Sequence, residues 1–179
     1  MSANPNAGKP LTIQQKEAKL ASLYEEYYDK IAHYAYAHIG DRAEAQDIAG
    51  EVFLRALKSL KSYQERGVPI QAWLFRIAHN LIVDHWRRVA KRRTVPIDTV
   101  TIAADTDPVA DVEKRIELER VTKAMEQLTD EQREVLRLRF FGGLTSREAG
   151  SVLKKSDGAV REMQRAAIEK LRQLLSRDR

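Results

Sequence analysis

The chain has 179 residues, is 43% hydrophobic and carries a formal net charge of +5, enough for one medium domain or two small ones, each with a modest core. It contains no cysteine, which excludes a disulfide framework, a thiolate zinc site and a cysteine nucleophile and is compatible with a reducing compartment. The sequence pI near 9.4 suits a polyanionic partner. The N-terminal stretch "MSANPNAGKPLTIQQKEAK" is polar, and no apolar run approaches the roughly 20 residues of a membrane span. The expectation is a cytoplasmic protein without membrane insertion.

Residues 1–12, with Asn4-Pro5-Asn6 and Gly8, read as a disordered tail. Residues 13–93 form the first expected domain, with apolar residues at helical spacing broken at Gly40-Asp41 and at Gly67-Val68-Pro69. The helix expected from Arg42 to Leu60 buries Ala45, Ile48, Val52 and Ala56 and leaves Asp47, Glu51, Leu54 and Lys58 outward. Glu51 is spaced to pair with Arg55 on the same face.

The segment "FRIAHNLIVDHWRRVAKRR", Phe75 to Arg93, reads as one amphipathic helix ending in a cluster of cations. With Ile77 at the centre of the buried face, Leu74, Ala78, Leu81 and His85 lie with it, and Asp84 falls toward the core and pairs with a cation. Arg76, His79, Asn80, Val83, Trp86 and Arg87 fall on or near the opposite side. Unstacked bases can lie on an aromatic ring and bond to an amide, while Arg87, Arg88, Lys91, Arg92 and Arg93 attract phosphates whatever the sequence. The other reading buries Trp86 against a neighbouring helix and uses the cations to complement the helix dipole; the residues alone leave both open. Trp73 is expected in the core.

Residues 94–111, "TVPIDTVTIAADTDPVAD", hold four aspartates, two prolines and no cation, and read as an acidic linker. Residues 112–179 form the second expected domain, with helical spacing from near Val112 to about Leu175. Thr129 before Glu131-Gln132 is an expected N-cap, Gly142-Gly143 ends that helix, and Thr145 with Glu148 forms a capping box. The next helix ends near Lys154-Lys155, and Ser156 caps a last helix from Asp157. Short helix, tight turn and longer helix make a helix-turn-helix. Val160, Met163, Ala167, Leu171 and Leu174 line one stripe of the last helix. Gly158, Arg161, Glu162 and Arg165 point away, where a recognition helix meets the major groove; a helical hairpin with a solvated charged face is the alternative. The fold class is all-α: two small helical domains joined by an acidic linker, the second a helix-turn-helix.

No chemistry is expected of this chain. His33, His38, His79 and His85 form no H-E-x-x-H, and no P-loop, dinucleotide fingerprint or serine nucleophile motif is present. Asp105 and Asp107 lack a structured third carboxylate for a metal. Neither an enzyme, a metal nor a cofactor is predicted.

"DIAGEVFLRAL", then "AWLFRIAHNLIVDHWRR", an acidic linker, and "LTDEQREVLRLRFFGGLTSREAGSVLKKSDGAVREMQ" together resemble the small two-domain sigma factors of bacterial RNA polymerase, the extracytoplasmic-function (ECF) group. The resemblance runs from about Leu23 to Leu175. It implies that Asp47, Glu51, Leu54 and Lys58 dock on core RNA polymerase. It also implies that Arg76, His79, Asn80, Val83, Trp86, Arg87, Arg88 and Lys91 meet the minus-ten element, with Asn80 and the loop from Lys61 to Pro69 holding a flipped base. For the second domain it implies a minus-thirty-five surface of Lys154, Lys155, Ser156, Gly158, Arg161, Glu162 and Arg165. The implied linker path leads toward the polymerase's active-site and RNA-exit channels. An anti-sigma factor is a further possible partner. Two positions depart from the family pattern: Gly50, where glutamine is common, and Ala166, where arginine is frequent. A stand-alone helix-turn-helix regulator is the alternative function.

Overall fold

The helices begin and end where short polar side chains and glycines dictate. In the computed structural model, which describes residues 12–60, 63, 68–92 and 112–177, Thr12 starts α1 (Ile13–Ile39) with a capping box. Its hydroxyl accepts the Gln15 N–H at 3.3 Å, and the Gln15 side chain accepts the Thr12 N–H at 2.9 Å. Gly40 ends α1 at φ 74°, a left-handed geometry that glycine adopts without penalty. Asp41 then caps α2 (Arg42–Ser59) by accepting the Glu44 N–H at 2.9 Å. So tight a reversal folds α1 and α2 into a helical hairpin, and α3 (Ile70–Arg92) packs against both. At the other end of α1, the Lys16 ammonium donates to the carbonyls of Leu60 and Tyr63, tying the exit of α2 to the start of α1.

Helix α2 buries Ala45, Ile48, Val52 and Ala56 as its spacing predicts, with Ala49 and Phe53 beside them. Helix α3 departs from expectation. Leu74, Phe75, Ala78, Leu81 and Ile82 are buried while Ile77 is only half-buried, so the buried face is not centred on Ile77. The arc is wider and turned because α3 is covered from two directions, by the α1–α2 hairpin and by helices of the C-terminal half. The turn carries Asp84 not toward the core but outward, where it pairs with a cation as expected, 3.5 Å from Arg87. It also brings Trp86 inward: the indole is half-buried against the core, edge-on to His85 with ring centroids 5.4 Å apart. His85 sits on the buried side as expected, with Nε2 3.3 Å from the Glu44 carboxylate. Trp73 packs on the core and against Tyr63, with ring centroids 4.7 Å apart.

The C-terminal half comprises α4 (Val112–Glu126), α5 (Asp130–Leu136) running on as one π-turn over Arg137–Phe141, α6 (Ser146–Leu153) and α7 (Asp157–Arg177). Thr129 with Gln132 and Thr145 with Glu148 form capping boxes on α5 and α6. The Gly142 N–H reaches back to the Arg137 carbonyl at 3.0 Å, closing the wide turn. That turn leaves Phe140 64% exposed. Lys154 ends α6 at φ 57°, and the Ser156 hydroxyl accepts the Ala159 N–H at 3.1 Å to open α7. Close contact makes the turn compact: a Cβ on Gly150 would stand 2.5 Å from the Lys155 carbonyl oxygen.

Separate modest cores were expected for the two halves, whereas a single apolar cluster spans both. It joins Ile31, Tyr34, Val52, Phe75 and Ile82 to Val135, Leu138, Leu144, Val152 and Val160. A smaller cluster of Met125, Leu128, Leu136 and Ala167 lies among α4, α5 and α7. The tail through residue 11, most of the loop from Lys61 to Pro69, and the acidic linker 94–111 lie outside the described residues. No helix among the described residues is long and apolar enough to cross a membrane.

Two glycine substitutions should act in opposite senses. A Cβ at Gly50 meets nothing within 4 Å, so Gly50→Ala should stabilise α2 by about 1 kcal/mol, the ordinary helix-interior difference. Gly150→Ala forces backbone movement in the turn and should cost about 1–3 kcal/mol. Urea unfolding of both variants checks the pair.

Candidate nucleic-acid interface

Helix α7 presents its recognition-type face as the spacing predicts. Gly158, Arg161, Glu162 and Arg165 are exposed, opposite buried Val160 and Ala167, while Met163, Leu171 and Leu174 are half-buried. Each arginine is paired along its own helix: Arg161 with Asp157 at 3.0 Å, Arg165 with Glu162 at 2.7 Å and with Glu169 at 3.3 Å. Hydrogen bonding from Arg165 holds the Glu162 carboxyl below its usual value. Gly158 has open space where a Cβ would be, leaving the start of α7 accessible to a close backbone approach. Ser156 is exposed and engaged as the cap; Lys154 is exposed; Lys155 is half-buried, 2.8 Å from Glu131.

On α2, Asp47, Leu54 and Lys58 are exposed, and Glu51 bonds Arg55 at 2.7 Å. Leu54 and Leu57 are 53% and 51% exposed, an apolar pair among charges.

The residues predicted on the outer face of α3 divide into two groups. Asn80, Arg87, Arg88 and Lys91 are exposed and Val83 is half-buried. Arg76 and His79 are instead engaged by the C-terminal half: Arg76 donates to the Ser151 carbonyl at 2.6 Å and lies 3.3 Å from its hydroxyl. One turn earlier, Gln71 donates to the Glu148 carboxylate at 2.7 Å.

His79 belongs to a buried polar cluster that sequence reasoning missed. The centre is Glu134 of α5, whose side chain is 10% exposed. Its Oε1 accepts the Tyr34 hydroxyl of α1. His79 Nδ1 lies 3.2 Å from both that carboxylate oxygen and the Tyr34 oxygen, so an Nδ1–H donates to either. His38 Nε2 lies 2.9 Å from Glu134 Oε2, off the direction of an aligned hydrogen bond. Arg137 donates toward His38 Nδ1 at 3.3 Å and stands 3.8 Å from Glu134. With Nδ1 accepting, the His38 proton sits on Nε2, facing the carboxylate.

Burial alone would raise the Glu134 carboxyl, but its contacts with His38, His79 and Tyr34 outweigh that and hold it well below the carboxylate range. Burial, then the adjacent carboxylate, pushes the Tyr34 hydroxyl up and keeps it a donor. Burial lowers His38 despite Glu134, so the imidazole is neutral at neutral pH. A sequence signal did exist: Tyr34 and His38 sit four apart in the apolar stripe of α1, and Glu134 with Arg137 interrupts the apolar run of α5. No group of His, Cys, Asp or Glu among the described residues could hold a metal ion.

These features define a class: an all-helical protein of two packed modules, the first with a long polar-faced helix, the second with a helix-turn-helix. Residues 23–93 match the family model for Sigma-70 region 2, and residues 124–173 match that for Sigma-70, region 4. The ECF RNA polymerase sigma factor SigD of Mycobacterium bovis is 31% identical over 148 residues, covering 79% of this chain and 70% of SigD. BldN of Streptomyces coelicolor, also an ECF RNA polymerase sigma factor, is 32% identical over 158 residues, covering 87% of this chain and 60% of BldN. The chain thus spans less than two thirds of BldN. Among solved structures, CnrH in complex with the cytosolic domain of CnrY superposes with a TM-score of 0.66 at 26% identity, covering 93% of this chain and 94% of that one. RpoE from Bartonella quintana, solved with the anti-sigma factor NepR, shares the fold at a TM-score of 0.67 and 20% identity, covering 90% of this chain and 99% of that one. The chain belongs to the ECF family of RNA polymerase sigma factors, a non-enzymatic family, with a region 2 and a region 4.

The buried cluster makes stability pH-dependent. His38 faces Glu134 and Arg137 from the C-terminal half, Tyr34 on its own helix and His79 on α3. Its pKa is lower when folded than its ordinary 6.5, so the unfolded chain binds more protons below that value and stability falls with acid there. The depressed Glu134 adds a further loss in the same direction at lower pH. Melting temperature should therefore drop from pH 7.5 to 5.5, and His38→Gln should flatten that part of the curve. Glu134→Ala, which strands buried partners, should cost about 3–5 kcal/mol in chemical unfolding at pH 7.5.

Proposed function

We propose that this chain binds core RNA polymerase and directs promoter-specific transcription initiation, working in the cytoplasm with its two regions on separate promoter elements. The observation that carries the reading is a pair of polar helix faces in two matched modules. One is on α3, with Asn80 exposed beside Arg87, Arg88 and Lys91; the other is on α7, with Gly158, Arg161, Glu162 and Arg165 exposed.

In this reading the exposed Asp47, Leu54 and Lys58, with Glu51, dock on core polymerase; the half-apolar, half-charged character of α2 there supports a protein partner. Asn80, with amide donors and an acceptor facing solvent, takes the edge of an unpaired minus-ten base. Arg87, Arg88 and Lys91 hold the backbone of that strand. Arg76, His79 and Val83 complete the surface once the C-terminal half is withdrawn. Trp86 contributes from its half-buried site as a wall of the α3 surface. On duplex DNA the α7 face reads the minus-thirty-five element: Arg161 and Arg165 are suited to guanine edges or phosphate, Glu162 to cytosine, and Lys154, Lys155, Ser156 and Gly158 to the neighbouring backbone. An anti-sigma partner is supported by the two solved relatives, which are complexes with the CnrY cytosolic domain and with NepR.

The direct test is pull-down of the full chain with bacterial core polymerase, followed by run-off transcription from a pooled promoter library. Specific tight duplex binding without polymerase, and no binding to core, would replace this reading with a stand-alone regulator. Asn80→Ala should reduce open-complex formation, read by permanganate footprinting, while leaving polymerase binding intact. Arg161→Ala should weaken binding to the selected minus-thirty-five duplex by about 1–3 kcal/mol and relax preference at one base position. Asp47→Ala with Glu51→Ala should lower core affinity and leave the duplex affinity unchanged.

A further inference from the structure

The exposed stripe of α7 does not end at Arg165. Gly158, Glu162, Arg165 and Glu169 follow one another at i, i+4, i+7 and i+11, on one line along the helix. Glu169 lies beyond the predicted surface, and its side chain is 58% exposed.

The two arginines of this face are held differently. Arg161 is paired through one nitrogen, Nη2, 3.0 Å from the Asp157 carboxylate. Arg165 has all three of its nitrogens engaged: Nη2 and Nε donate to the two oxygens of Glu162 at 2.7 and 3.2 Å, and Nη1 donates to Glu169 at 3.3 Å. The fork that a guanidinium offers to guanine or phosphate is thus closed on Glu162. Glu169 braces it from the far side. The hydrogen bond and charge of Glu162, then the charge of Glu169, push the Arg165 pKa up. Its charge is permanent, and the open question is only which anion it faces.

In the proposed docking, Glu169 is too far along α7 to read a base. It stands twelve positions after Asp157, about 18 Å along the axis. The major groove is about 12 Å wide, and a recognition helix enters it by its N-terminal residues. Glu169 therefore meets the groove rim, where DNA presents phosphates.

We propose that Glu169 is a positioning residue that sets minus-thirty-five specificity: it keeps Arg165 on Glu162, so that Arg165 passes to a DNA phosphate only when a base donor takes its place. This rests on the assignment of α7 to duplex DNA. On a matching site a cytosine amino group donates to Glu162, whose hold on Arg165 weakens, and the freed guanidinium takes the backbone. One base contact is thereby coupled to one phosphate contact. On a mismatched site Glu162 keeps Arg165, and both contacts are lost together. Without Glu169, Arg165 turns to phosphate on either sequence, so non-specific affinity rises and discrimination falls.

The full chain assembled with bacterial core polymerase is measured by competition on promoter duplexes carrying the library-selected minus-thirty-five element, or that element with one base pair at a time replaced. Glu169→Gln keeps the side-chain size and removes the charge. It should strengthen binding to the mismatched duplex that lacks the Glu162 donor by about three- to fivefold, the range an exposed pair can supply, and change the matched affinity less. The slope of log affinity against log salt on that mismatched duplex should steepen by about 1, one added phosphate contact. Removing a carboxylate near DNA also raises affinity by charge alone, so the same change is made beside Arg165→Met, both positions being exposed. There Glu169→Gln should leave the ratio of matched to mismatched affinity unchanged. A ratio that falls equally with and without Arg165 would overturn the proposal, as would an unchanged ratio with Arg165 present. A wild-type holoenzyme that prefers no minus-thirty-five sequence would remove the α7 reading and the proposal together, whereas a preference that Glu169→Gln leaves intact would remove the proposal alone.

Discussion

One buried carboxylate organises the relation between the two halves of this protein. Taking Glu134 out of water costs several kcal/mol after relaxation, and that cost is offset only if its oxygens are well satisfied. Here they are met by a tyrosine hydroxyl, two imidazoles and a nearby guanidinium drawn from α1, α3 and the π-turn. The consequence differs from that of an apolar seam. Were the halves parted, Phe75, Leu138 and Leu144 would lose burial, but Glu134, His79 and Arg137 would regain water. A polar centre therefore lowers the net cost of separation while making the closed geometry specific.

The same constraint explains which parts of the fold were legible in sequence. Caps and breaks are local chemistry, so Thr129, Thr145, Gly40-Asp41 and Gly142-Gly143 mark helix ends where the structure has them. The buried stripe of α2 was equally legible, because that helix faces one partner, the α1–α3 side. Helix α3 was not, because it faces two. A single-stripe reading centred it on Ile77, sent Asp84 inward and left open whether Trp86 faced out or packed on a neighbour, whereas Asp84 pairs with Arg87 at the surface and Trp86 packs on the core. The periodicity was right; the number of covering surfaces was not encoded in it.

Long-range polar partners were illegible for a related reason. Tyr34 and Glu134 are separated by 100 positions, and the local signal, a charged Glu134 and Arg137 interrupting an apolar run, does not say which distant side chains meet them. The π-turn was also hidden, since Arg137–Phe141 has ordinary helical composition. Its effect is to widen the turn before Gly142, which leaves Phe140 outward while Leu138 stays buried. On α7 the exposed face was predicted correctly, because the charged residues there stand opposite the apolar stripe of a helix packed on one side.

If the α7 face meets DNA as proposed, charge pairing on it sets how tightly it can hold the duplex. Arg161 and Arg165 are already matched to Asp157, Glu162 and Glu169, and exposed pairs of this kind are worth less than about 1 kcal/mol each. Exchanging a carboxylate for a phosphate is thus inexpensive, but the displaced carboxylates stay nearby and repel the same backbone. In the proposed reading, the affinity of region 4 alone for duplex is held down and selectivity is favoured, since only a sequence that gives Glu162 a donor, as cytosine can, relieves that repulsion. A module so balanced reads DNA usefully only when another body holds it in place. That is the physical requirement of the specificity subunit proposed here, in which polymerase would supply the remaining affinity.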